Sequence, residues 1–428
     1  MSPFHSALRL PRYGLPCLAA SALLSSPALA QEALRNSLAG DAAAEAGRLR
    51  PEAQQYNYKL GDFRLMVTPS VALEWNDNLY LVQEHAQDDF ILRPTMGVAA
   101  SYPVTQRNLL RLDVSIGYNE YFRHHDLSAL YIGANSGLSF DLFVKDWRFN
   151  LHDWFNYSVA GTQQRGEVAG TGNYSLFQNT AGLAGTWDLE DLVPTLGFDH
   201  VNASSPSGAF QQQNRTTESG LARIGARVHP RLTAGVEGTV SSTAYQEKLL
   251  NDNIGYSGGV YADWRPGNYI SVQPRGGYAA YNFQQTSAVT PASNVDSWYV
   301  DLTVRHRPTE VVSYGLSVGH ELMLGLLSDG TDDYYVRPSV TWGLVKNVTL
   351  TTSLFYEHGK LVGGLLPGAS GGIPAETFDW FGAGLDVGYS PMKRLTVGLY
   401  YRPTLRSSDL ALRSYAQNIV GLRAAYTP

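Results

Sequence analysis

Residues 107–122 read RNLLRLDVSIGYNEYF. Leu110, Leu112, Val114, Ile116 and Tyr118 fall on one side of an extended chain, and Arg111, Asp113, Ser115, Gly117 and Asn119 on the other. Side chains alternate across a strand with period two, so this stretch predicts a strand with one apolar and one polar face. Which face is outside decides the fold. A soluble sheet turns the polar face to water, whereas a membrane barrel turns the apolar face to lipid.

The same alternation recurs from Asp62 to the end of the chain in about eighteen segments, each long enough for a tilted strand to cross the apolar band of a membrane. The connections between them answer the question. Tight turns such as 144–146 (VKD), 229–231 (HPR), 307–310 (RPTE) and 345–347 (VKN) follow the even segments. Longer polar or Gly-rich loops follow most odd ones, at 76–88, 160–173, 199–215, 282–296 and 358–376. Short turns at one end and long loops at the other mark an all-β, antiparallel outer-membrane barrel, with the turns periplasmic and the loops extracellular. Its apolar face is therefore outside. Tyr102, Trp147, Trp187, Trp264, Trp298, Trp342, Tyr389 and Tyr426 sit near segment ends, where aromatic girdles belong.

Composition agrees. The chain of 428 residues has 42 glycines, 26 tyrosines and only 16% charged residues, and no later stretch reaches the ~20 apolar residues of a membrane helix. The first thirty residues read as a secretory signal peptide: Arg9 and Arg12, an apolar run, then Ala28-Leu29-Ala30, with cleavage expected near Ala30. Cys17, the one cysteine, lies inside it, so no disulfide is expected in the mature protein. Residues 31–60 read as a periplasmic extension or linker, and 61–428 as the barrel, placed in the outer membrane of a Gram-negative bacterium with outer-membrane lipid around it. A net charge of −6 excludes a basic nucleic-acid binder.

An eighteen-stranded barrel is too wide for side chains to fill, so its inward residues carry the function. Inward cations are nearly all arginine. Arg64, Arg111, Arg148, Arg227, Arg265, Arg305, Arg307, Arg394 and Arg423 fall toward the periplasmic end and read as a basic entrance. Inward Tyr121, Trp154, Tyr299, Tyr335, Phe355, Trp380 and Tyr400 fall toward the extracellular half. A basic mouth concentrates anions, and aromatic faces stack on sugar rings, so together they suit an acidic polysaccharide moving outward. Two plainer readings stand beside it: arginines that pair with inward carboxylates to stiffen the wall, and aromatics that pack against folded-in loops.

WNDN (75–78) and DGTDD (329–333) offer oxygen ligands for Ca²⁺, and HHD (124–126) offers metal ligands, but none has a full ligand loop and turn chemistry explains each. No metal or other cofactor is expected. No Gly-x-Ser-x-Gly elbow or Ser/His/Asp set stands out, so no enzyme is expected.

Leu60, Gly61, Phe63, Pro69, Trp75, Asn76, Asp77 and Asn78, with the turns HPRLTAGVEG (229–238) and SPMKRLTVGLYYR (390–402), resemble the β-barrel porin type 2 family. The strand ending VGLRAAYTP resembles the C-terminal signal read by the barrel-assembly machinery, although Thr427 and Pro428 follow Tyr426. The family resemblance implies an outer-membrane conduit for an exopolysaccharide or capsular polysaccharide, partnered by a periplasmic polysaccharide-export lipoprotein. The alternatives are a diffusion porin for small solutes and a structural or adhesive barrel with a closed lumen. A porin needs a loop folded inward as a constriction, and 358–376, apolar and Gly-rich, is the expected one.

Overall fold

Each alternating segment forms a strand, because lipid rewards the apolar side and every backbone N–H and C=O must find a partner within the membrane. In the computed structural model, residues 56–159, 166–171, 174–288, 291–325, 328–362 and 375–428 are described. The expected signal peptide, most of the 31–60 extension and most of the 358–376 loop lie outside them.

The strands are β1 (Tyr58–Leu60), β2 (Phe63–Asn76), β3 (Asp89–Pro103), β4 (Leu109–Tyr121), β5 (Ala129–Val144), β6 (Trp147–Val159), β7 (Ser175–Trp187), β8 (Leu192–Ser204), β9 (Arg215–His229), β10 (Leu232–Tyr245), β11 (Asn253–Trp264), β12 (Ile270–Phe283), β13 (Val295–His306), β14 (Val312–Met323), β15 (Gly330–Val345), β16 (Val348–Val362), β17 (Thr377–Met392), β18 (Leu395–Ser408) and β19 (Tyr415–Tyr426). From β2 to β19 each pairs antiparallel with the next. The wall closes where β19 pairs with β2, from Ile419↔Asn76 to Ala425↔Ser70. The result is a closed antiparallel barrel of eighteen strands, β2 to β19, each paired on both sides.

The sequence reading missed β1. It folds back on the start of β2, with Tyr58↔Leu65 and Leu60↔Phe63 in register. It covers the stretch of β2 below Ser70, where β19 no longer pairs. Asn57 extends that cover: its side chain donates to the Val67 carbonyl at 2.7 Å and accepts from the Val67 N–H at 3.1 Å.

Leu73, Met96, Leu151, Phe198, Val260 and Leu399 lie exposed on the outer wall, which is the lipid-facing surface of such a barrel. At the periplasmic ends Tyr102, Trp187, Trp264, Trp342, Tyr389 and Tyr426 point outward, and Trp147 stacks on Trp187. Above the apolar band the outward residues become polar. β8 therefore runs on to Ser204 through what reads as the start of a loop at 199. There His200 bonds Glu218 at 2.6 Å on the outer face.

Candidate functional site

The inner wall is laced by ion pairs: Arg93–Glu74 at 2.8 Å, Arg148–Asp141 at 3.3 Å and Arg337–Glu357 at 2.6 Å join neighbouring strands, and Arg423–Asp386 at 2.8 Å reaches across β18. Arg223 lies 3.4 Å from Glu237, its guanidinium over the Tyr261 ring. Inward His152 and Asp199, both buried, join at 2.8 Å.

The nine expected entrance arginines divide in two. Arg64, Arg111, Arg148 and Arg423 sit partly or fully buried in the wall. Arg148 and Arg423 are neutralised by the carboxylates above, Arg64 lies over the Tyr56 ring, and Arg111 has Asp141 and Asp113 beside it. Arg227, Arg265, Arg305, Arg307 and Arg394 are exposed at the periplasmic mouth. Of these, Arg227 grips Asp188 at 2.7 Å and Arg307 donates to the Glu310 carbonyl.

The expected aromatics are mostly occupied by protein. Tyr121 is buried with Leu79, Ile91 and Leu127 under the β2–β3 loop. Trp380 packs with Leu361, Phe378 and Phe355. The hydroxyls of Tyr335 and Tyr400 donate to Asp301 and Glu74, each at 2.6 Å, and that of Tyr299 to Glu237 at 3.4 Å. Trp154 is half-buried beside the His152 ring.

The feature sequence reasoning missed is a loop across the lumen. The described part of the β6–β7 connection, Gly166 to Thr171, reaches across to β15 and β18. The Arg406 Nε donates to the Gly166 carbonyl at 2.5 Å, and an Arg413 amino group donates to the Glu167 carbonyl at 2.8 Å. Between them Glu376 accepts from Arg406 at 2.6 Å and from Arg413 at 2.8 Å. The Ser408 hydroxyl also donates to Glu376 at 2.6 Å. Burial pulls the Glu376 carboxyl upward, but the Arg413 hydrogen bond, the two guanidinium charges and the Ser408 hydroxyl hold it below the usual carboxylate range. Thr331 on β15 bonds the Glu167 carboxylate. A Cβ on Gly166 would stand 2.6 Å from the Phe378 ring, so only glycine permits this approach. Val168 packs in one cluster with Tyr174, Leu176 and Phe210 on the β7–β8 side and with Leu81 of the β2–β3 loop and Tyr415 of β19.

The bridging loop among the described residues is 166–171; of the expected 358–376 loop, residues 363–374 lie outside the described residues, and its Glu376 joins Arg406 and Arg413 in holding the bridge. Parity on β18 could have found Arg406, which falls on the same side as Arg402. Gly166 and Arg413 carry no comparable signal.

The candidate metal motifs are turns or divided faces. Asp77 accepts from the Asn418 N–H at 2.6 Å and from its amide at 2.7 Å. His124 bonds Asp89 at 3.1 Å. Asp332 points outward to His320, while Asp333 points inward.

No family model matches the chain, and no curated relative does. Among solved structures it is similar to OccK5 (OpdH) of Pseudomonas aeruginosa at 12% identity and TM-score 0.45, covering 86% of this chain and 99% of that one. It is similar also to OccK2 (OpdF) of the same organism in complex with glucuronate, at 13% identity and TM-score 0.46, covering 87% and 100%. A third is OpdK with vanillate, at 11% and 0.44, covering 85% and 99%. Of these, OccK2 (OpdF) is recorded with glucuronate and OpdK with vanillate. In this chain Arg93, Arg148, Arg223, Arg337 and Arg423 are paired with wall carboxylates, most of the aromatic faces are occupied and a loop spans the lumen. The expected conduit for an acidic polysaccharide is corrected accordingly. The resemblance to the β-barrel porin type 2 family holds only as an outer-membrane porin-type barrel.

Proposed function

We propose that the protein is an outer-membrane diffusion porin for small solutes, with its constriction at the 166–171 loop. The observation that carries this reading is the span of that loop from the β6–β7 wall to Thr331 on β15 and to Arg406 and Arg413 at β18 and its loop. A wide barrel left open would pass large molecules without selection. A loop tied to both walls narrows the passage while leaving the rest of the wall rigid. The exposed arginines at the periplasmic mouth add a positive field at that end.

The test is reconstitution of the purified barrel in a planar lipid bilayer. Discrete conductance steps are expected, with uptake by loaded vesicles of solutes the size of glucuronate and exclusion of oligosaccharides. Gly166→Val should push the loop off Phe378 and raise the conductance. Absence of steps, or entry of long polymers, would overturn the reading. Arg305→Gln with Arg307→Gln should shift ion selectivity toward cations without changing the size limit.

A further inference from the structure

A second patch of inner wall, on β14, β15 and β16 with the bridging loop against it, brings four carboxylates together near the Arg337 guanidinium. Glu321 and Asp333 are register partners on neighbouring strands. Like charges directly opposed on one face of a sheet oppose pairing. One step along, Glu357 lies opposite Tyr335 and holds Arg337 at 2.6 Å. The bridging loop brings Glu167 to Thr331 on the same strand as Asp333. All four carboxylates are buried, and Asp333 is only 1% exposed. The charged groups acting on Asp333 include Glu357, Glu321 and Glu167 and, among the described residues, the cation Arg337, which Glu357 already engages. Neither carboxylate oxygen of Asp333 has a hydrogen-bond partner among the described residues.

Buried polar oxygens are ordinarily hydrogen-bonded, and buried charge is ordinarily paired. A cationic donor would meet both needs. The geometry points to a recognition site for a cationic nitrogen, the ammonium or guanidinium group of a small solute, formed by Asp333, Glu321 and Glu167 beside the constriction. An ammonium presents three donors, and the two oxygens of Asp333 with a neighbouring carboxylate present the matching acceptors. A hard metal ion asks for six or more oxygens in one shell. Among the described residues no group of three or more His, Cys, Asp or Glu is placed to hold one. The inference deepens the porin reading, on which its role in solute choice rests, by giving the solute a positive charge.

The experiment uses the full-length barrel refolded in detergent, with 1,4-diaminobutane as the probe and 1,4-butanediol as its uncharged twin. Thermal unfolding is followed by the change in gel mobility of the folded barrel. The diamine should raise the midpoint and the diol should not. Asp333→Asn should weaken the apparent diamine affinity by about tenfold or more, the loss expected when a hydrogen bond to a charged group is removed. Glu321→Gln, an independent variant should the first fail to fold, should weaken it in the same direction. No diamine shift in the wild type, an unchanged shift in both variants, or an equal shift from calcium chloride would overturn the site. Bilayer recording separates the two ideas. A diamine shift with no conductance would sink the porin reading and leave the site, whereas conductance with no shift would do the reverse.

Discussion

Glu376 and Asp329 are both loop carboxyls, both outside the strands, and both almost wholly shielded from water. Their fates are opposite. Glu376 sits between Arg406 and Arg413 and is held below the usual carboxylate range. Asp329, in the β14–β15 loop, has only the amides of Asn251 drawing it down, and burial pushes it up to about 6. Burial alone thus does not decide ionisation at this mouth of the barrel; the partner does. The first carboxyl works as a charged clasp on the lumen loop. The second is an acid that folding prefers protonated.

The clasp is where the comparison can be broken hardest. Arg413→Ala leaves Glu376 buried with half its counter-charge and the Glu167 carbonyl without a donor. Removing one partner of a buried pair costs about 3–5 kcal/mol. Urea unfolding in detergent micelles should show a loss of that order, and conductance should rise as the loop loosens. An unchanged midpoint would mean that Val168 and its neighbours hold the loop without the clasp.

Acidity separates the two carboxyls next. Glu376 is depressed when folded, so its stabilisation is present above the unfolded value of about 4.3 and is lost as pH falls through the lower folded value. Asp329 is raised when folded. Its neutral form stabilises the barrel fully below the unfolded value of about 3.9, and that stability is lost as pH rises through about 6. Asp329→Asn should therefore raise stability at pH 7.5, by about 2 kcal/mol, and leave it almost unchanged at pH 4. Equal effects at both pH values would mean that Asp329 is ionised throughout.

The strands were legible because their signal is local: one large apolar side chain at every second position is visible in a dozen residues. All eighteen wall strands coincide with alternating segments, from Phe63 to Tyr426. Asp333 was within reach of the same rule, since it shares its face with Tyr335 and Arg337. The clasp was not. Gly166, Glu376 and Arg413 each look like ordinary loop residues, and their contacts join positions up to 246 apart in sequence. β1 lacked a signal because three residues are too few to show a period.

The smallest predicted effect sharpens the comparison by changing exposure while keeping the chemistry. Asp188, in the β7–β8 turn, meets Arg227 through two parallel bonds of 2.7 and 2.9 Å, as good a geometry as any in the clasp. The Arg227 hydrogen bonds pull its carboxyl down, as the clasp does Glu376. Here, however, the two side chains are 37% and 55% exposed, and water and salt screen them. Exposed pairs of this kind contribute about 0.2–1 kcal/mol. Asp188→Asn should move the urea midpoint by no more than that, and 0.5 M salt should erase what remains, while the Arg413→Ala loss should persist in the same salt. If Asp188→Asn instead costs as much as Arg413→Ala, the wall is being held from its periplasmic turns, and burial is the wrong variable for ranking its ion pairs.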